Sequence, residues 1–391
     1  MGEKLSLSLK GVEAEIVHHT FRGVPVKTLL VKLHEKRRVL STLEGFREVA
    51  FVANHYSPEA LWDYIQDHCD EYRRWLPEAL GVPSEELTSL WTGVDLQNMA
   101  VASRSFEDLV VVVLVTAGVR SNAQRLGEDR AGHLERCGGF SRLHGTINVI
   151  LLTNAHLTQG AMARALITIT EAKTAALEDL DVRSSYTPLQ NQATGTGTDN
   201  AIVVPGDGPE VSCVGGHTVA GELIARATKE GVQEAIRRQN GLFADRGMVE
   251  RLAERGISVE EMISTAISMY VPDPSMGTEE EVSERVRQEL LRALEDPNVA
   301  ALLLAALKLE EAGGRGAIPR VPADRYRSDP VELVADELLG LQIAQYIGGS
   351  RALFEFYRWD REKPGLIASL PPFLDDALGG LLAGVMVKVC S

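Results

Sequence analysis

The feature that most constrains this chain is a change of character near Gly241. Before it, short runs dense in Val, Leu and other apolar residues alternate with longer helix-like segments. After it, no convincing strand pattern appears. Short apolar runs bounded by turn residues indicate strands, whereas apolar positions spread over ten or more residues indicate helices. Residues 1–240 therefore read as a mixed α/β (or α+β) domain and residues 241–391 as an all-α domain, with the boundary between about 236 and 245. A length of 391 residues also exceeds what one hydrophobic core usually organises.

In the first part the expected strands are Val26–Leu33, Val39–Leu43, Val49–Ala53, Leu90–Val94, Leu109–Val115, Thr146–Leu152, Ala201–Val204 and Val211–Val214. Helices are expected from Pro58 to Trp75, Thr158 to Asp179 and Val219 to Arg238. The second part suggests helices over Met248–Arg255, Ser258–Ser268, Glu279–Leu294, Val299–Leu309, Pro330–Tyr346 and Phe373–Val387. Asp329-Pro330-x-Glu332 looks like a helix start, with Asp329 as cap and Pro330 at the first helical position.

Charge and cysteine usage narrow the function classes. A net charge of −15 repels nucleic-acid phosphates, and Lys36-Arg37-Arg38 and Arg237-Arg238 are too short to offset it, so no nucleic-acid partner is expected. Four cysteines form neither a CxxC pair nor a zinc spacing. His133 and Cys137 could share a helix face, but two ligands alone do not make a site. Gly2 with Ser6 meets the minimal myristoylation pattern, a short pattern easily met by chance. No apolar stretch follows Met1 as a signal peptide would require. The run closest to a membrane span, Leu366 to Val389, contains Pro371, Pro372, Asp375 and Asp376. The expectation is a cytoplasmic protein without a membrane span.

Three features of the first domain carry chemistry. Asn148 is a polar residue inside the apolar strand that Gly145-Thr146 opens. Glu171 and Lys173 lie in an apolar helix, two residues apart and therefore on different faces. Thr194-Gly195-Thr196-Gly197-Thr198-Asp199 is a loop whose glycines permit close backbone approach and whose hydroxyls and amides can bind an anion or oxyanion. It has neither the GK[ST] of a Walker loop nor GxGxxG spacing. Each feature also has a structural reading: a satisfied buried Asn, two solvent-reaching charges, a tight connection.

Taken in order, Thr146, Asn148, Gly160-Ala161, Thr170-Glu171-Ala172-Lys173, Thr194 to Asp199 and Gly216-His217-Thr218 resemble the adenosylcobinamide amidohydrolase family, as do Ser41, Asn54, Thr116-Ala117-Gly118 and Asn122-Ala123 upstream. The resemblance spans residues 5 to 238 and implies hydrolysis of a corrinoid substrate, adenosylcobinamide, to adenosylcobyric acid and 1-aminopropan-2-ol. On that reading Glu171 is the base or acid, Lys173 or His217 the proton donor, and the loop from Thr194 to Asp199 the oxyanion or substrate cradle. Either a Thr hydroxyl or a water attacks. No cofactor pattern accompanies this domain. The Asp-x-His-x-x-Gly arrangement of cobalt-ligating proteins is absent, so the corrinoid is a substrate and not a prosthetic group.

In the second domain, acids sit on segments otherwise built for a core: Asp336-Glu337, Asp360, and Asp375-Asp376. Buried carboxylates need a counter-charge. A Mg²⁺ ion, which prefers oxygen ligands, would supply it; alternatively they pair with Arg325, Arg358, Arg361 and Lys363 or face solvent. Asp329-Pro330, Asp336-Glu337 with Gly340, Asp360 with Lys363-Pro364, and Asp375-Asp376 with Gly379-Gly380 resemble the phosphatidylglycerophosphatase A superfamily over residues 245 to 390. That resemblance implies a magnesium-dependent phosphomonoesterase with Lys363 and Arg358 in catalytic roles. Tyr357 stands where an Arg is common in that superfamily, with Arg358 next to it. Joined in one chain, the two halves resemble archaeal bifunctional enzymes of cobamide salvage, in which the phosphatase acts on α-ribazole 5′-phosphate. The alternatives are a phosphatase acting on phosphatidylglycerophosphate, and a corrinoid-binding protein without turnover.

Overall fold

The computed structural model describes residues 2–130 and 145–391, so His133 and Cys137 lie outside the described residues. The chain separates into two compact units: Met1–Thr187 with Gln192–Ala244, and Pro188–Asn191 with Asp245–Ser391.

The strands of the first unit are β1 (Glu3–Leu5), β2 (Val12–Phe21), β3 (Val24–Ser41), β4 (Gly45–Tyr56), β5 (Leu87–Thr92), β6 (Ala100–Phe106), β7 (Leu109–Ala117), β8 (Ala123–Gln124), β9 (Ile147–Thr153), β10 (His156–Leu157), β11 (Gly195–Thr196), β12 (Asn200–Val204) and β13 (Glu210–Val211). Among the described residues, nine of them form one mixed sheet in the order β1-β2-β3-β12-β9-β7-β6, with β4 on β3 and β5 on β4. The pairs β4–β5 and β9–β12 are parallel. Alternation along the strands separates two faces. Val112, Leu114, Ile150, Leu152, Ile202 and Val204 share one core with Leu29, Val31, Val52 and Leu90, so the β4–β5 flank curls over the β7–β9 strands. Val111, Val113, Val115, Val149 and Leu151 face the other way. That face is covered by α3 (Gln159–Asp179) and α4 (Val219–Asn240), which follow α1 (Trp62–Asp67) and α2 (Cys69–Leu80). Gly231 of α4 lies directly on β7: a Cβ there would stand 2.9 Å from the Val115 side chain.

Helix ends follow the sequence. The hydroxyl of Thr158 caps α3, and that of Thr218 caps α4. Three expectations are corrected. Val26–Leu33 and the first three residues of Val39–Leu43 belong to one strand, β3, because its backbone pairing with β4 resumes across a register shift between Lys32 and Arg37; Thr42 and Leu43 lie in the turn that follows. The side-chain pattern and the pairing with β4 both lapse in that polar stretch, and both resume without ending the strand. The single helix expected from Pro58 to Trp75 is broken at His68, whose φ of −131° and ψ of 34° are not helical. Strand Val211–Val214 shrinks to β13.

The second unit contains α5 (Met248–Ala253), α6 (Val259–Ser268), α7 (Glu279–Glu295), α8 (Pro297–Gly314), α9 (Ala323–Tyr326), α10 (Ala335–Glu362) and α11 (Pro372–Val389). It is helical among its described residues, as expected. All of residues 372–386 in α11 are buried, because α10, α7, α8 and α6 surround them. That accounts for the apolar run ending at Val389. No helix among the described residues is long and apolar enough to cross a membrane. α10 is two helices joined at Gly349, whose φ of 68° and ψ of −160° suit glycine. Asp329 does not cap it: Asp329 has a φ of 52°, outside the extended region a capping residue adopts. The helix begins only at Ala335, and Glu332 pairs with Arg325.

Candidate functional sites

In the first unit, α3 buries Ala161, Met162, Ala165, Thr168, Ile169, Ala172, Lys173, Ala176 and Leu177, a helical stripe in which Lys173 is the one charged residue. Lys173 is 7% exposed. Its Nζ donates to Asp199 Oδ2. Asp199 is the hub of the cluster. It also accepts from the Thr196 amide at 3.0 Å, from the Thr196 hydroxyl and from the Ile147 amide at 3.0 Å. The loop is thereby tied to both α3 and β9.

The glycines of this loop permit close approach to protein atoms. A Cβ on Gly195 would stand 2.7 Å from Lys173 Nζ, and one on Gly197 2.9 Å from Asn122 Oδ1. The loop amides are likewise engaged inside the protein. Thr194 N donates to Gln124 O at 2.8 Å and Gly197 N to Asn122 O at 3.2 Å. Thr198 N donates to Thr196 Oγ1 at 3.4 Å. The amides of Thr194, Thr196, Gly197 and Thr198 are thus held by protein acceptors, and the polar side chains gathered here are Lys173, Asp199, Thr196 and Thr198.

The other residues singled out from the sequence fall around this cluster unevenly. Asn148 is fully buried. Its amide donates to Asn54 Oδ1 at 3.0 Å and to Trp91 O at 2.9 Å, and Asn54 donates to Thr116 Oγ1 at 2.9 Å. This chain of hydrogen bonds clips the curled flank onto β7 and β9 through Asn148. Glu171 and His217 are both exposed. The His217 ring lies beside Gly215, where a Cβ would be 3.2 Å from it and 3.5 Å from Arg164 Nε. Glu171 faces away from Lys173, as two-residue spacing on a helix requires.

A second polar knot was not singled out from the sequence. His55 is fully buried, with Nδ1 2.7 Å from Thr28 Oγ1 and Nε2 2.7 Å from Tyr72 OH. Burial, aided by the nearby His19, pushes its pKa down to about 3. Thr28 and His55 sit opposite one another on β3 and β4. The signal available in the sequence was two isolated polar residues in strand patterns, which do not reveal a pairing across strands.

In the second unit the acids divide into two groups. Asp336, Glu337 and Asp376 each offer a carboxylate oxygen within 4.8 Å of the others. Asp360 and Asp375 instead hold Lys363, whose Nζ is 3.0 Å from Asp360 Oδ1, 2.6 Å from Asp375 Oδ2 and 4.0 Å from Asp376 Oδ1. The five acids thus do not form one ligand set. Asp375 and Asp376 are neighbours on a helix and point about 100° apart. Arg358 is not brought to the acids at all. It donates to Met269 O at 2.7 Å and pairs with Glu355 at 3.1 Å, two residues and nearly half a turn from Asp360.

Close helix packing creates the three-acid group. Gly340 lies one turn beyond Asp336 and Gly380 one turn beyond Asp376. A Cβ on Gly380 would stand 2.1 Å from Gly340 O, and one on Gly340 2.5 Å from Asp376 O. Only glycines allow α10 and α11 this approach.

Lys363 compensates part of this charge, but four carboxylate oxygens are left over. Asp336 Oδ2, Glu337 Oε2, Asp375 Oδ1 and Asp376 Oδ1 are buried without a hydrogen-bond partner. Burial, reinforced by the Asp375 charge, pushes Asp376 up to about 9. Burial and the neighbouring Glu337 raise Asp336 well above the carboxylate range. Burial lifts Asp375 to about 6 against the pull of Lys363. Burial works against the Lys363 ammonium, but its hydrogen bond to Asp375 and that residue's charge outweigh this and hold it above the usual lysine range. An all-oxygen donor set with orphaned lone pairs fits a hard divalent cation such as Mg²⁺.

Residues 13–244 match the family described as adenosylcobinamide amidohydrolase, which is more than half of the 391-residue chain. The chain belongs to that family. Members are hydrolases, and a cobinamide-type substrate follows. Among relatives of this amidohydrolase, an uncharacterised protein of Methanocaldococcus jannaschii is 45% identical over 224 residues, covering 55% of this chain and 87% of that protein. The adenosylcobinamide amidohydrolase of Methanosarcina mazei is 28% identical over 221 residues, covering 54% of this chain and 94% of its own. A solved structure, the low temperature requirement C protein from Listeria monocytogenes, is 23% identical with a TM-score of 0.32, covering 36% of this chain and 91% of that one.

Proposed function

We propose that this chain is a bifunctional hydrolase: the first unit cleaves the amide of adenosylcobinamide, and the second removes phosphate from α-ribazole 5′-phosphate with Mg²⁺. The observation that supports the residue roles in the first unit is the buried Lys173–Asp199–Thr196 cluster. Water adds to the amide carbonyl, the C–N bond breaks, and the amine leaves with a proton, giving adenosylcobyric acid and 1-aminopropan-2-ol. The Lys173 ammonium stabilises the developing oxyanion or protonates the leaving nitrogen. Asp199 holds Lys173 in place, and Thr196 completes the hydrogen-bond arc. Glu171 and His217 stand on exposed surface, where they contact bulkier parts of the corrinoid.

In the second unit, the reading rests on four orphaned carboxylate oxygens beside an ammonium group. Asp336, Glu337 and Asp376 would hold Mg²⁺, which when bound polarises a phosphate oxygen and lowers the pKa of a water. Lys363, steered by Asp360 and Asp375, neutralises charge on the transferring phosphoryl group. Water attacks phosphorus, the P–O bond to the ribose breaks, and α-ribazole and inorganic phosphate result. The strongly acidic surface disfavours an anionic lipid interface and hence the lipid-phosphate alternative.

The deciding experiment incubates the protein separately with adenosylcobinamide, α-ribazole 5′-phosphate and phosphatidylglycerophosphate in detergent, each with Mg²⁺ and with chelator. Amide cleavage in both conditions, with release of phosphate from α-ribazole 5′-phosphate in Mg²⁺ alone, is expected. A coloured corrinoid complex without product would establish a carrier instead. Phosphate release from the lipid alone would reassign the second unit.

A further inference from the structure

A carboxylate that neither the amidase nor the phosphatase reading uses lies beneath the acidic site. Glu310, on the buried side of α8, is 7% exposed. Its Oε2 accepts from the Tyr326 hydroxyl at 2.6 Å and from the Phe373 amide at 3.3 Å. The Phe373 amide belongs to the first turn of α11, where backbone donors lack helical partners and a negative charge is favourable. Pro371 and Pro372 precede it and have no amide hydrogen to offer.

The rest of the arrangement is built to keep Glu310 there. Tyr326 is 1% exposed, and its ring stacks on Phe373 at 6.1 Å between centroids and 22° between planes. Gly313, one turn after Glu310, leaves the slot for that ring: a Cβ on Gly313 would stand 2.5 Å from it. Tyr326 therefore touches both Glu310 and Phe373. Phe373 is three residues before Asp376, so the two share a helix face. Tyr326 also precedes the segment that ends in Asp336 and Glu337. Asp375's charge is felt at Glu310, whose carboxyl burial lifts to about 7. An amide-bearing Gln could accept the same two bonds without a buried charge.

We infer that Glu310 and Tyr326 are positioning residues for the acidic site, bracing the first turn of α11 so that Asp376 meets Asp336 and Glu337 in a geometry that takes a divalent cation. This inference rests on the reading of those three acids as a cation site. Neither residue contacts the cation. They act through the backbone of Phe373, as supports behind metal ligands commonly do.

Mn²⁺ and Mg²⁺ binding to the full chain is measured by calorimetry for wild type, Glu310→Ala, Glu310→Gln and Tyr326→Phe, beside the melting temperature of each in chelator. Glu310→Ala and Tyr326→Phe should weaken cation binding about tenfold or more, and Glu310→Gln, which keeps an acceptor for Phe373, should restore most of the loss. If Glu310→Ala does not fold, Tyr326→Phe, which removes one oxygen atom, carries the test. A wild-type protein that binds and variants that melt lower yet bind as tightly would overturn this inference alone. A wild-type protein that binds neither ion would overturn the cation-site reading and the inference with it.

Discussion

Both units bury charged side chains, but they treat them oppositely. In the first, Lys173 and Asp199 neutralise each other, and Asp199 takes three further hydrogen bonds. Asn54, Thr116 and Asn148 likewise satisfy one another. In the second, four carboxylate oxygens are buried without partners. A compensated network can stand by itself, whereas buried carboxylate oxygens without partners call for a proton or a ligand from outside. The contrast teaches where to expect ligand-dependent stability: in the helical unit and not in the sheet.

The largest expected effect tests that contrast at its sharpest. Asp336→Asn and Asp376→Asn should each abolish phosphate release while leaving amide cleavage at the wild-type rate. In chelator, each should melt no lower than wild type, because the cost of burying an ionisable carboxyl group is removed. A substantial drop in melting temperature would mean that these acids are compensated after all.

Next in size is the reciprocal change in the first unit. Lys173→Met should lower amide hydrolysis roughly 10²- to 10³-fold with phosphate release intact. Asp199→Asn should also cost roughly 3–5 kcal/mol of stability by leaving Lys173 buried and unpaired. Chemical denaturation followed by tryptophan fluorescence would read this. A variant as stable as wild type would show the pair to be solvated.

Smaller, but more diagnostic, is a divergence with pH. The His55 pKa is depressed to about 3 from 6.5, so its contribution is present above pH 6.5 and is lost as pH falls towards 3. The Asp376 pKa is raised from 3.8 to about 9. Its folded state binds the extra proton, so the associated stability is present below pH 3.8 and is lost as pH rises through 9. Acidification from pH 6.5 to about 4 in chelator should therefore lower one calorimetric transition and raise the other. Saturating Mg²⁺ should flatten the second. Two transitions moving together would break the comparison.

The smallest effect is expected at Glu171. Because it faces solvent on the side of α3 opposite Lys173, Glu171→Gln should change the amidase rate only a few-fold, mostly through KM, within the range of a peripheral contact. A loss approaching that of Lys173→Met would move the catalytic centre to the outer face of the helix.

Much of this was legible in the sequence, and what was missed has identifiable causes. The Thr158 and Thr218 caps, the helical character of the second unit and the acids on apolar helices all follow from local pattern. The break at His68 does not, and neither do the continuity of β3 and the late start of α10, where backbone pairing and a positive φ at Asp329 overrode side-chain periodicity. Glu310-Glu311 in the apolar α8 could have been noticed by the same rule that singled out Asp336-Glu337.

The sequence by itself determined which residues share a face of one element: Lys173 with the core stripe of α3, Glu171 off it, Asp375 and Asp376 apart on α11. Only the tertiary structure decided which residues meet across elements. Asp199 reaches Lys173 because glycines bring the loop against α3, and Asp376 joins Asp336 and Glu337 because Gly340 and Gly380 let two helices approach where any side chain would hold them apart. The reason is physical: helical period is a property of one segment, while a site is set by distances between segments, and those distances depend on what is packed between them.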